Sequence, residues 1–96
     1  MKSVPFKTVD HLKTRKDIVA YLNAALEDGE PAVLLEALRN VAQARGGIGT
    51  LAKAAGVSRE SLYRTLSRRG NPKIDTVMAL LWAMGLKLSI DQRKAA

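Results

Sequence analysis

Five cations crowd one short stretch of this sequence: Arg59, Arg64, Arg68, Arg69 and Lys73, opposed there only by Glu60. Four are arginines, whose planar guanidinium fork suits phosphate oxygens and base edges better than a lysine's point charge. Scattered lysines usually mean a solvated face; an arginine cluster points to a polyanion. Other chemistries lack their residues. Cysteine is absent, so there is no thiolate nucleophile, thiolate zinc site or disulfide framework. His11 is the single histidine. It has no companions at metal-ligand or acid–base spacing and is expected to face solvent in an N-terminal arm. Gly46-Gly47-Ile48-Gly49-Thr50 looks superficially like a phosphate loop. It lacks the Gly-Lys-Ser/Thr ending and a preceding strand, so it reads as one helix stopping and another starting. No enzyme activity, metal or cofactor is expected.

The scaffold that must hold the cations is small. A chain of 96 residues makes one domain. Its apolar fraction of 47% is too high for a disordered chain. With only 4% aromatic residues, the core has to be aliphatic, and the abundance of Leu and Ala suits packed helices. The net charge of +7 is unevenly placed: residues 1–45 carry 7 basic and 6 acidic side chains, residues 46–96 carry 9 and 3. No apolar run approaches the ~18 residues of a membrane span. The expected location is the cytoplasm, on the nucleoid, with no membrane partner.

Punctuation and periodicity divide the chain. Residues 1–13 read as an extended arm, with alternation over residues 4–8. Thr14 offers a helix N-cap and Asp17 its capping-box partner; Ile18, Tyr21, Leu22, Ala25 and Leu26 form one stripe up to Gly29. Pro31 opens a second helix with Leu34, Leu35, Leu38, Val41 and Ala42 on its stripe, stopped by Gly46 and Gly47. A short third helix starts at Ile48 or Thr50 and ends at Ala55 before Gly56. Ser58 caps a fourth, anchored by Leu62 and Leu66. After Gly70-Asn71-Pro72, the fifth carries Ile74, Val77, Met78, Leu81 and Met84. Trp82 falls between these positions; exposed, it would mark an interface. Leu86, Leu88 and Ile90 alternate with polar residues, which predicts a short C-terminal β-strand, and residues 91–96 read as a flexible tail. Residues 14–90 thus form the folded domain.

The third and fourth helices read as a helix-turn-helix. Ala52 is small where the helices cross, Gly56 suits positive φ in the turn, and Val57 is expected to plug the gap beneath it. A recognition helix reads bases with residues near its N-terminus, here Ser58, Arg59 and Glu60, with Arg64 one turn on. Arginine can bond guanine bidentately and glutamate can accept from cytosine. Ser61, Tyr63, Arg68, Arg69, Asn71 and Lys73 are placed for phosphate oxygens, as is Thr50 at the preceding helix's N-terminus.

Further motifs carry a family resemblance. Tyr21-Leu22 followed by Ala24-Ala25-Leu26, Ala42-x-Ala44-Arg45-Gly46, Leu51-Ala52, Ser58-Arg59-Glu60-Ser61-Leu62-Tyr63, Gly70-Asn71-Pro72 and Leu80-x4-Gly85-Leu86 together resemble the addiction-module antidote family, HigA-type antitoxins and their prophage relatives. The resemblance covers residues 17–90, and its helix-turn-helix is similar to that of the Xre/phage-repressor superfamily. The fold this implies is all-α, a five-helix bundle with an Xre-like helix-turn-helix and the short C-terminal strand. The function it implies is an antitoxin that neutralises a RelE/HigB-like ribonuclease toxin and autorepresses its operon. A stand-alone prophage-type regulator and a protein-interaction module with an incidental basic face are the competing readings.

Two partner surfaces follow. Glu27, Asp28, Glu30 and Glu36 are the one acidic concentration and the natural target of a basic toxin. The unpaired strand at residues 86–90 needs a partner. Pairing with its own copy predicts an isologous homodimer on a palindromic operator with half-sites about 34 Å apart; residues 4–8 are the competing partner.

Overall fold

The computed structural model describes residues 12–67 and 69–93. Among them are five α-helices: α1 (Arg15–Asp28), α2 (Pro31–Ala44), α3 (Ile48–Ala55), α4 (Arg59–Thr65) and α5 (Ile74–Ala83). Of the extended arm expected at residues 1–13, residues 1–11 with the alternating stretch and His11 lie outside the described residues, as do Arg68 and residues 94–96, while Leu12 is buried in the core rather than part of a free arm.

Local chemistry sets where the helices begin and end. Thr14 and Asp17 form the reciprocal capping box: the Asp17 N–H donates to Thr14 Oγ1 at 3.1 Å and the Thr14 N–H to Asp17 Oδ2 at 3.2 Å. The box satisfies two N–H groups, one of them an otherwise orphaned donor of the first turn. Gly29, at φ 84°, ends α1, and Pro31 stands at the start of α2, where its missing N–H costs nothing. Ser58 caps α4 by accepting from the Ser61 N–H at 3.0 Å.

The core is aliphatic and continuous. Leu12, Ile18, Leu22 and Ala25 meet Leu35, Leu38, Val41 and Ala42, and the cluster extends through Ile48, Leu51 and Ala52 to Leu62, Leu66, Val77, Leu80, Leu81 and Met84. α1 packs along α2, while α3 touches α2, α4 and α5 and is the hub of the bundle. Tyr21 and Asn40 add a polar tie between α1 and α2, the Asn40 amide donating to the phenol oxygen at 2.8 Å. Among the described residues, no helix is long and apolar enough to cross a membrane.

Three expectations are corrected. Residues 86–90 form no strand. α5 ends instead in a Schellman turn, with the Leu86 N–H on the Leu81 carbonyl at 2.8 Å and Gly85 N–H on Trp82 at 3.0 Å. Leu86 packs against the core, but Leu88 and Ile90 are exposed. Alternation supplies one face of a ladder, and a strand also needs a neighbour to bond. Secondly, α5 turns Val77, Leu80, Leu81 and Met84 inward and leaves Ile74 and Met78 exposed. Thirdly, Val57 plugs nothing: its N–H bonds the Ala52 carbonyl at 3.0 Å, and its side chain is 39% exposed.

Candidate functional site

The basic stretch is mounted on the pair α3–α4. Residues 56–58 join the two helices, and the turn works because Gly56 adopts φ 74°, a left-handed conformation that costs a non-glycine residue roughly 1–2 kcal/mol. Ala52, 2% exposed, lies buried in α3. On α4, Leu62 and Leu66 are 1% and 0% exposed. These two leucines pin α4 by one edge, so the rest of its short circumference must face outward. Ser58, Arg59, Glu60, Ser61, Tyr63 and Arg64 are all exposed. So are Arg69, Asn71 and Lys73 in the connection to α5.

Arg59 is held as well as exposed. Its guanidinium carbon lies 5.5 Å from the centroid of the Tyr63 ring, a cation–π distance. Its aliphatic stem passes Gly49, where an added β-carbon would stand 3.8 Å from Cδ. Arg59 therefore bridges the start of α3 and the outer face of α4. Among the described residues, Arg59, Arg64, Arg69 and Lys73 form no ion pair; the pair that does form is Glu36–Arg39 on α2. From Arg59 to Lys73 the described residues thus present four exposed, unneutralised cations and one carboxylate, that of Glu60.

Other predicted residues have structural duties. The Ser58 hydroxyl caps α4. The Thr50 hydroxyl donates to the Gly46 carbonyl at 3.0 Å, which leaves main-chain N–H groups at the start of α3 without a side-chain cap. The acidic set divides. Glu27, Asp28 and Glu30 are exposed at the corner between α1 and α2, with Leu26 beside them 44% exposed. Glu36 is apart from them: it is only 9% exposed, packed in the first half of α2.

Glu36 belongs to an arrangement that periodicity gives no sign of. Its Oε1 lies 3.9 Å from Nη2 of Arg39, and Arg39 Nη1 donates to the carbonyl of Leu66, the residue that closes α4. A cation from α2 therefore grips the C-terminal end of the helix bearing the basic face. Helix ends leave carbonyls unpaired and partially negative, and an arginine is suited to that position. The signal in the sequence was the i, i+3 spacing of Glu36 and Arg39, which alone says nothing of Leu66.

Residues 2–92 match a family described as "Probable addiction module antidote protein". The chain belongs to that family. Its relative in Haemophilus influenzae (strain Rd), itself described as an uncharacterized protein, is 37% identical over 91 residues, covering 95% of this chain and 93% of that one. No solved structure matches. An antidote implies a toxin that it counters.

Proposed function

We propose that this antidote is a sequence-specific DNA-binding protein of a type II toxin–antitoxin module. It represses its own operon and neutralises a RelE/HigB-like ribonuclease toxin. In this reading α3 and α4 are an Xre-like helix-turn-helix, α4 being the recognition helix. The observation that carries it is the set of four exposed cations without acidic partners, Arg59 and Arg64 on α4 and Arg69 and Lys73 in the connection that follows it, α4 being locked from behind by Leu62, Leu66 and Arg39. Arg59, set by Tyr63, and Glu60 read base edges together with Arg64. Ser58 contributes from the helix cap. Ser61, Tyr63, Arg68, Arg69, Asn71, Lys73 and the start of α3 at Thr50 contact phosphates. The protein acts as a homodimer on a palindromic operator.

The toxin takes a separate surface, the exposed corner of Glu27, Asp28 and Glu30 with Leu26 beside them. An acidic rim next to an exposed apolar side chain suits a basic partner.

The test is anisotropy of labelled promoter DNA against shuffled DNA, run beside co-expression with the neighbouring gene product. Arg59→Ala should cost roughly 1–3 kcal/mol on the promoter and lower its preference over shuffled sequence. Charge reversal at Asp28 and Glu30 should slow toxin association and leave the promoter affinity unchanged. Equal affinity for both DNAs in the unmodified protein would refute sequence reading. A neighbour harmless without this chain would favour a stand-alone regulator.

A further inference from the structure

The outward side of α5 carries Ile74, Met78 and Trp82, 66%, 54% and 77% exposed. They recur at every fourth residue, so they form one stripe about 12 Å long. The residues that share this side, Asp75 and Ala79, are exposed too. Three such side chains show on the order of 450 Å² of apolar surface, as much as the largest patch of a typical monomer. Leaving it in water is unfavourable by roughly 25 cal/mol per Å². The core gives no reason for the stripe, because α5 already buries Val77, Leu80, Leu81 and Met84.

We propose that this stripe is the dimer interface, α5 packing antiparallel on α5 of a second copy with Met78 at the two-fold axis. The spacing is self-complementary. Ile74 and Trp82 are equidistant from Met78, so a two-fold at Met78 sets each Ile74 against the partner's Trp82. The large ring meets the smaller branched side chain, and the flexible thioether fills the centre. Ala79, beside the axis, allows the backbones to approach. The two copies of Asp75, each three residues from the two-fold on opposite sides, are held about 9 Å apart along the helix direction.

Charge also selects a second copy as the occupant. Two chains of net charge +7 repel over most orientations. From Ile74 to Ala83 there is one charged residue, Asp75, so copies meet here with the least repulsion. A polyanion finds no cation on this stripe, and a basic toxin finds its carboxylates at the α1–α2 corner. The three residues of both copies bury on the order of 900 Å². Their rims bring this towards the ~1,200–2,000 Å² of a stable interface. The interface deepens the homodimer of the proposed function, but its test uses no DNA and stands or falls separately.

Trp82 is the chain's single tryptophan, so its fluorescence reports this surface alone. Acrylamide quenching and sedimentation velocity are measured on the same dilution series of the full chain. Expected is a monomer–dimer transition in sedimentation with a parallel loss of quenching and blue shift of Trp82. Met78→Glu places two carboxylates at the axis and should raise the dissociation constant at least ~100-fold, with helix content by circular dichroism unchanged. Ala79→Trp, a second exposed site on the stripe, should do the same by steric bulk. The proposal is overturned by a dimer whose Trp82 quenches as in the monomer, or by a monomer at every concentration. It is also overturned by Trp82 shielded at every dilution, or shielded only when toxin is added.

Discussion

Arg39 links two helices that contribute different things: α2 is scaffold, and α4 carries exposed cations. Its guanidinium serves the Leu66 carbonyl and, at longer range, Glu36, whose Oε2 is buried with no hydrogen-bond partner among the described residues. Removing the cation leaves both the carbonyl and the carboxylate uncompensated. A buried pair broken from one side costs ~3–5 kcal/mol, but Arg39 keeps 29% of its side chain in water, so the loss for Arg39→Met should be nearer 1–3 kcal/mol. Glu36→Gln, which removes the unsatisfied charge while keeping the shape, should cost much less. Urea denaturation of both variants measures the difference; equal losses would mean that Arg39 acts through Glu36 and not through α4. The neighbouring residue types carried no sign of this contact, because a tie across 27 residues of chain leaves no local pattern.

At the scale of elements, the chain was legible where short-range chemistry decides. Thr14-x-x-Asp17, Gly29-x-Pro31, the Gly56 turn and the Ser58 cap gave the first four helices with their ends, because each signal lies within four residues of what it sets. Two readings failed where the deciding partner is distant. α5 is apolar on almost every side, so periodicity placed Val77, Leu81 and Met84 inward correctly but put Ile74 and Met78 with them and left out Leu80. The docking of α3 chose. The strand at residues 86–90 failed because alternation does not supply a ladder. Capping predicts measurable stability: Thr14→Ala and Ser58→Ala should each cost about 1 kcal/mol in thermal unfolding. The two loop glycines should behave unlike each other. At Gly56 a β-carbon meets nothing within 4 Å, so alanine pays only the backbone strain of φ 74°, roughly 1–2 kcal/mol. At Gly70 a β-carbon would overlap the Thr65 carbonyl, so alanine must displace the end of α4. Gly70→Ala should therefore lose more DNA affinity per unit of stability than Gly56→Ala, a ratio that anisotropy and calorimetry together provide.

The whole molecule is charged asymmetrically: net +1 over residues 1–45 and +6 over residues 46–96, from the 7 basic and 6 acidic and the 9 basic and 3 acidic side chains of the two parts. The α1–α2 corner with Glu27, Asp28 and Glu30 is set apart in sequence and in helix from the cations around α4. Under the proposed function, this division would let one small chain attract partners of opposite charge on different surfaces. It also makes the two attractions respond alike to salt and differently to substitution. Each phosphate neutralised on duplex DNA contributes a slope of about −0.9 in the logarithm of affinity against the logarithm of salt. Arg69→Ala and Lys73→Ala, the proposed phosphate contacts, should each reduce the magnitude of that slope by about 0.9, and a double variant by twice as much, since exposed sites without shared partners add. Arg59→Ala and Arg64→Ala should weaken promoter binding with a smaller change in slope, because a base contact releases no phosphate counterion. Reversing Asp28 and Glu30 should leave the DNA slope unchanged and lower the toxin association rate most at low salt, where long-range steering is least screened. A DNA slope that shifts equally for Arg59, Arg64 and Arg69 would mean that all three serve the backbone, and the specificity of this protein would then have to come from the shape of its operator rather than from the bases α4 faces.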